Sequence, residues 1–440
     1  MSEVTQAPAL WQQLQACAQL LERILKGASA TALLDAVPSA LRPGVQAITY
    51  HVLRHLGQAQ ALRRALAPKT PKPAADALLL TALALMCVDD VPLYDAHTLV
   101  NQTSEAAKKH RATQALVPFL NGCLRRFLRE RETLMAGLAD DLQAQWNHPA
   151  WWVRRLQREQ PERWAQVLTA NNQAAPMTLR VNTRMLSREA YLAELAKVGL
   201  EAYAQGDAGL TLTRACPVHE LPGFDQGWVS VQDAAAQLAA PLLLKDLHLS
   251  ASSRVLDACA APGGKTAHLL ELSPAMVTAL EVDAQRAQKI HNTLDRLKLQ
   301  ANVITADAAH TQSWWDGVLL DAILLDAPCT ASGIVKRHPD VRWLRREADI
   351  EQLAAQQSRL LQALWPLLKV GGRLLYCTCS VFKAEGQDQT EAFLRHNTQA
   401  RLLPSPGHLM PSIGADEGKL KDNQTHVHDG FYYALLEKVA

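Results

Sequence analysis

No stretch of this 440-residue chain stays apolar long enough to span a bilayer. The longest nearly apolar run, Ala77 to Val88, is twelve residues and contains Thr81, against the roughly 20 that a membrane helix needs. The opening Met1-Ser-Glu-Val-Thr-Gln lacks the basic and apolar regions of a secretory leader, so none is expected. Cysteine is sparse: eight residues, at 17, 87, 123, 216, 259, 329, 377 and 379. Disulfide scaffolds are shorter and denser, so reduced thiols and a cytoplasmic location are expected. An excess of one charge is also missing. The net charge is +2, distributed as +3 over residues 1–145, zero over 146–235 and −1 beyond. Nucleic-acid contact would therefore depend on local patches rather than on a global field.

What is present divides into three textures. From Leu10 to about Trp146 the apolar spacing is helical, punctuated by Pro38, Pro43, Pro68, Pro71, Pro73 and Pro92, which predicts an all-helical domain over 8–145. Residues 146–232 open with a Trp-rich helix. They then alternate strand signals (Thr178-Leu-Arg-Val, Gly209-Leu-Thr-Leu-Thr, Gly227-Trp-Val-Ser-Val) with a helix over 188–198, which predicts a small α+β module. From 233 to 440, apolar strands at Arg254, Met276, Asn302, Ala322 and Arg373 alternate with helical patterns at 264–272, 284–298, 348–368 and 386–396. That alternation predicts a doubly wound α/β domain around a parallel sheet.

In such a sheet, ligands bind beyond the carboxyl ends of the strands. The first strand ends in Asp257-Ala-Cys-Ala-Ala-Pro-Gly-Gly-Lys-Thr, and two glycines there permit a close backbone approach to a ligand. Gly264-Lys265-Thr266 matches the end of a phosphate-binding P-loop, but the Gly required six residues before the Lys is Cys259. The next strand tips carry Glu281-Val-Asp283 and Asp307. Carboxylates accept hydrogen bonds from ribose hydroxyls and repel a triphosphate, so an adenosine without phosphates fits, and S-adenosylmethionine satisfies that description.

The fourth and fifth strands end in Asp326-Ala-Pro-Cys329 and Thr378-Cys379-Ser380. Neighbouring strand ends put Asp326 and both cysteines around one cleft. Methylating carbon 5 of cytosine calls for this set. A thiolate adds to carbon 6 and makes carbon 5 nucleophilic, while a group bonded to ring nitrogen 3 stabilises the charge. A buried, protonated Asp326 is expected in that last role, with a positive neighbour to lower the thiol pKa. The chemistry leaves open which cysteine attacks. A zinc set of Cys377, Cys379, His426 and His428 matches no familiar finger or ribbon spacing, and no metal is expected.

In this order, the three motifs resemble RNA cytosine-5 methyltransferases of the NOL/NOP2/Sun group. Gly227-Trp-Val-Ser-Val-Gln-Asp, Lys336-Arg-His-Pro-Asp340 and His428-Asp-Gly-Phe-Tyr-Tyr433 extend the match over about 146–440. The helical part is similar to NusB, through Val91-Pro-Leu-Tyr, Ala106-Ala-Lys-Lys and Phe119-Leu-Asn-Gly-Cys-Leu-Arg-Arg. That layout is the one found in the bacterial Sun branch. The resemblance implies an enzyme of 16S ribosomal RNA acting on one cytosine of the position-967 type. Its RNA would be protein-free or an early assembly intermediate, and it would work as a monomer without membrane or obligate protein partner. The resemblance also implies that Cys379 is the nucleophile and that Cys329 assists product release. Cofactor contacts carry over to Cys259, Ala260, Ala261, Pro262, Gly263, Gly264 and Lys265, to Asp283 on ribose, to Asp307 on adenine and to Asp326. A small RNA-recognition-motif-like module and a Rossmann-like catalytic domain complete the expected fold. The alternatives are the same chemistry on tRNA or another RNA, and a non-catalytic RNA-binding assembly factor.

The stretch Ile334 to Arg346 has a local charge of +4. Lys336, Arg337, Arg342, Arg345 and Arg346 are expected to contact RNA phosphates from the cleft rim. Arg125, Arg126, Arg129 and Arg131, with Lys108, Lys109 and Arg111, are further basic candidates in the helical domain.

Overall fold

The computed structural model describes residues 8–88, 93–412 and 427–439; Val91-Pro92 and His426 lie outside them. The chain forms two compact units. One comprises residues 1–173 together with 335–346, and the other comprises 174–334 together with 347–440.

The first unit is entirely helical among its described residues. Its centre is the helix Pro73–Met86, in which every side chain from Ala77 to Met86 is buried. A helix apolar on all sides belongs inside a bundle. The helices Leu10–Ile24, Arg42–Arg54, Leu56–Leu66, Ala96–Lys108 and Val117–Ala136 contribute Leu21, Val52, Leu62, Leu99 and Leu124 to the same core. The helices Ala150–Glu159 and Trp164–Asn171 also fall in this unit.

The segment 335–346 was expected to contact RNA phosphates through Lys336 and Arg342 among others, and for those two the expectation needs correcting. It is held within the helical unit by side-chain bonds to backbone. Asp340 accepts from Ala30 N–H at 2.9 Å, and Trp343 Nε1 donates to Leu53 O at 2.8 Å. Arg342 is 0% exposed. Its guanidinium donates to Asn147 O at 3.0 Å, to Asn171 O at 2.6 Å and to Asn172 Oδ1. Those carbonyls lie at or just beyond the ends of the helices Leu142–Trp146 and Trp164–Asn171, where helix carbonyls lack partners. Arg342 therefore serves helix termination, and Lys336 is buried too. Arg337 and Arg345 are half-buried, and Arg346 is exposed.

The second unit contains two sheets. The smaller consists of β1 (Thr178–Val181), β2 (Ala202–Gln205), β3 (Gly209–Leu212) and β4 (Val229–Val231), in the antiparallel order β2-β3-β1-β4. With the helix Arg188–Lys197 this is a ferredoxin-like arrangement, in which a 3-10 turn at Val218–Glu220 stands in for a second helix. All residues of β1 and β3 are buried, so these central strands offer no open platform for stacking bases. Arg180 of β1 donates instead to Glu271 at 2.8 Å and to Gly264 O at 2.8 Å.

The larger sheet contains β5 (Arg254–Ala258), β6 (Met276–Glu281), β7 (Asn302–Thr305), β8 (Leu320–Asp326), β9 (Leu368–Thr378), β10 (Ala400–Leu409) and β11 (Phe431–Lys438). Their order is β10-β11-β9-β8-β5-β6-β7. The strands β5 to β9 pair in parallel, whereas β11 pairs antiparallel to β9 and to β10, so the sheet is mixed rather than purely parallel. Pro404 and Pro406 hide β10 from strand reading. An edge strand tolerates them, and the register shifts between Leu403 and Gly407 to accommodate them. Helices 264–272, 284–297, 347–364 and 387–396 follow the strands closely where expected. Strand order reverses between β5 and β8, which opens a crevice at their carboxyl ends.

Candidate active site

The turn after β5 brings the backbone to the crevice. Gly263 has φ +96°, and a Cβ there would meet Ile290 Cα at 3.1 Å. Glycine supplies both the left-handed conformation and the clearance. The helix Gly264–Leu272 starts directly after it, with its first N–H groups at the crevice. Behind the turn, Asp257 is fully buried and accepts from Thr266 Oγ1 at 2.5 Å, while its Oδ1 has no hydrogen-bond partner. Burial pushes its carboxyl up to about 7.

A groove lies beside this turn, lined by Cys259, Glu281, Arg286, Asp307, Pro328 and Leu360 among others. Glu281 ends β6, is buried, and directs an Oε2 that accepts no hydrogen bond; Arg286 stands 3.4 Å away. An unmatched buried carboxylate oxygen in a groove fits a ligand that donates hydroxyl protons, as a ribose does. The residues present therefore suit an adenosine-bearing cofactor. Asp283, expected at that position, is exposed and does not line the groove. Its Oδ1 accepts from Arg286 N–H at 2.9 Å, which makes it the N-cap of helix Ala284–Leu297. An Asp directly before a helical pattern is the sequence signal for this. Asp307 does line the groove. Burial raises its carboxyl, but the Ala309 N–H and the Arg359 guanidinium outweigh that and hold it below the usual range. Burial and neighbouring carboxylates push the Cys259 thiol up, so it stays protonated.

At the tips of β8 and β9, Cys329 and Cys379 lie with their sulfurs 3.3 Å apart, both half-buried. The Cys329 thiol is pushed well up, first by its hydrogen bond to the Cys379 sulfur and then by burial. Either sulfur can donate in this contact. Cys377, two residues before Cys379, is buried in the apolar layer with Val255 and Leu324.

The expectation of a buried, protonated Asp326 meets a different environment. Its side chain retains 27% exposure, and Oδ2 accepts from Lys265 Nζ at 2.6 Å. Burial works against the Lys265 charge, but the attraction of Asp326 exceeds it and drives the ammonium's pKa upward. Cys377 and Cys379 add to the same pull, which makes Lys265 a positive neighbour of Cys379.

Sequence reasoning missed the group beneath the cysteines. Glu385, in the 3-10 turn Lys383–Glu385 beyond β9, is 0% exposed and bonds to residues of both cysteine loops. No motif marks it, because its partners come from loops 50 residues apart in the chain. Among the described residues there is no group of three or more metal-ligating side chains, and no helix long and apolar enough to cross a membrane.

Comparison with known proteins matches the geometry. A family described as 16S rRNA methyltransferase RsmB/F matches residues 245–437, an RsmF/B-like ferredoxin-like domain matches 148–219, and the NusB family matches 9–129. The ribosomal RNA small subunit methyltransferase B of Pseudomonas putida is 42% identical over 97% of this chain and 98% of its own length. That of Vibrio cholerae is 40% identical over 96% of each. Among solved structures, PH0851 superposes with a TM-score of 0.76 at 25% identity, over 97% of this chain and 99% of its own. A methyltransferase homologue protein from Pyrococcus horikoshii gives 0.55 at 28% identity, over 68% and 98%.

Proposed function

Since the chain belongs to the 16S rRNA methyltransferase RsmB/F family and uses S-adenosylmethionine, we propose that it methylates carbon 5 of one cytosine of 16S ribosomal RNA, of the position-967 type, through a covalent cysteine adduct. The observation that carries this reading is the pair of sulfurs 3.3 Å apart beside the Lys265–Asp326 ion pair. Bound S-adenosylmethionine supplies an electrophilic methyl group from its sulfonium.

The protein's own residues do the rest. The Cys379 sulfur attacks carbon 6 and forms the S–C bond, with the ring electrons moving toward carbon 5 and nitrogen 3. The Lys265 ammonium donates a hydrogen bond toward nitrogen 3, the role first expected of a protonated Asp326, and the Asp326 carboxylate accepts from the exocyclic amino group. After the methyl is added, carbon 5 gives its proton to a water molecule, the electrons of that C–H bond re-form the ring double bond, and the S–C bond breaks with its electron pair going to the Cys379 sulfur. Cys329, held as a thiol against Cys379, protonates the departing sulfur. Glu281 takes the ribose hydroxyls and Asp307 the adenine amino group, while the N–H groups following Gly263 receive the cofactor's carboxylate. Asp283 keeps to helix capping.

The test is to incubate the protein and labelled S-adenosylmethionine with unmodified 16S RNA and map the modified base. The reading predicts label on carbon 5 of a single cytosine, and a loss of at least about 10⁴-fold in Cys379→Ala, as for a removed nucleophile. Label on another atom, or activity kept without Cys379, contradicts it.

A further inference from the structure

The geometry points to Glu385 as the residue that positions the two cysteines, by fastening the loops that carry them to one carboxylate. The residue following each cysteine binds it. Thr330, after Cys329, donates its N–H to Oε1 at 2.8 Å and its hydroxyl to Oε2 at 2.5 Å. Ser380, after Cys379, donates its hydroxyl to Oε2 at 2.6 Å. Gln357 donates to Oε1 at 3.3 Å and to Pro328 O at 2.9 Å, which ties the proline before Cys329 into the same knot. The Glu385 carbonyl accepts from the hydroxyls of Tyr376 at 2.8 Å and Thr378 at 3.0 Å, so the end of β9 is held as well.

Every donor here is buried, and a buried donor left without an acceptor is strongly disfavoured. The network is satisfied only when both loops stand at Glu385 together. Two sulfurs on separate strand ends, 50 residues apart in the chain, acquire a fixed separation by this means. Other bonds brace the same loops: Ser332 Oγ lies 3.0 Å from Ser380 Oγ, and Gly333 N–H donates to Cys379 O at 2.9 Å. Glu385 differs from these in reaching the residue next to each cysteine at once. Fully buried, it acts on the cysteines by holding their loops, and its charge also helps to raise the Cys329 thiol. Its value for the reaction rests on the two-cysteine reading above, whereas the separation it sets is measurable without any methylation.

Diamide oxidises two adjacent thiols to a disulfide, both thiol hydrogens passing to the diamide nitrogens to give the hydrazine. The rate of Cys329–Cys379 cross-linking, read by mass spectrometry, therefore reports how long the sulfurs spend together. The full-length protein is treated with diamide as wild type, Glu385→Ala, Glu385→Gln and Thr330→Val, with cofactor affinity and melting temperature measured alongside. Glu385→Ala is expected to slow cross-linking and lower kcat by about 10- to 100-fold, with the cofactor Kd within about twofold of wild type, as for the loss of a few kcal/mol of orientation. Glu385→Gln, which keeps one carbonyl acceptor, should recover part of both. If Glu385→Ala does not fold, Thr330→Val removes one hydroxyl bond and should show the same pattern at smaller amplitude. Cross-linking at the wild-type rate in the folded variants overturns the positioning role. Retained methylation in Cys379→Ala would instead overturn the chemistry and leave the positioning result standing.

Discussion

The two halves of the cleft are built on opposite principles. The groove beside the glycine turn keeps one acceptor unmatched: Glu281 Oε2 has no hydrogen bond, whereas Asp307, which also lines the groove, accepts from Ala309 N–H and Arg359. Under the cysteines, the Glu385 carboxylate is enclosed by four donating contacts. A half that exchanges its ligand every turnover gains from acceptors that only the ligand satisfies. A half that must hold two sulfurs at a set distance gains from satisfying every bond internally, since each unmade bond would favour another arrangement.

The contrast breaks most sharply at the open half. Glu281→Gln should weaken S-adenosylmethionine binding by about 10- to 100-fold, the worth of a hydrogen bond to a charged group, with little change in melting temperature. Asp283→Ala should do the reverse, costing about 1 kcal/mol of stability as a lost N-cap and leaving cofactor affinity within about twofold. Calorimetric titration and thermal melts of the two variants side by side decide between them. If Asp283→Ala loses the cofactor and Glu281→Gln does not, the two carboxylates have been given the wrong roles.

A smaller effect sits where the halves meet. Asp257 carries a pKa raised to about 7, and a carboxyl raised above its unfolded value favours the folded state while protonated. Its contribution is present in full below about pH 4 and is lost as pH rises through about 7. Asp257→Asn should flatten that part of the stability–pH curve, and an unchanged slope in thermal melts between pH 4 and 7 contradicts the assignment.

Much of this was legible before any coordinates. Strand and helix placement in the catalytic sheet followed from apolar runs alternating with 3.6-residue spacing, and the strand-tip rule put Asp326, Cys329 and Cys379 together. What escaped has physical reasons. The edge strand β10 carries Pro404 and Pro406, which only an edge position admits. Glu281 and Asp283 are two residues apart, and their side chains go to different tasks that composition does not separate. Glu385 is defined by partners distant in sequence. The basic stretch at 336–346 misled most: a run of arginines looks like a phosphate surface, yet Arg342 ends inside the helical unit with backbone carbonyls as partners. Replacing Arg342 by Met should lower the melting temperature by leaving those carbonyls unpaired. It should also leave the salt dependence of RNA binding unchanged, whereas a phosphate contact would lower the slope by about 0.7 per contact removed.

The central claim is that the Cys379 sulfur bonds to the pyrimidine and that Cys329 is needed to break that bond. Denaturing electrophoresis of Cys329→Ala incubated with S-adenosylmethionine and unmodified 16S RNA tests it most directly. The account predicts a protein–RNA band that survives denaturant and disappears when Cys379 is also replaced by Ala. No such band with Cys329→Ala, or a band that persists in the double variant, would contradict it.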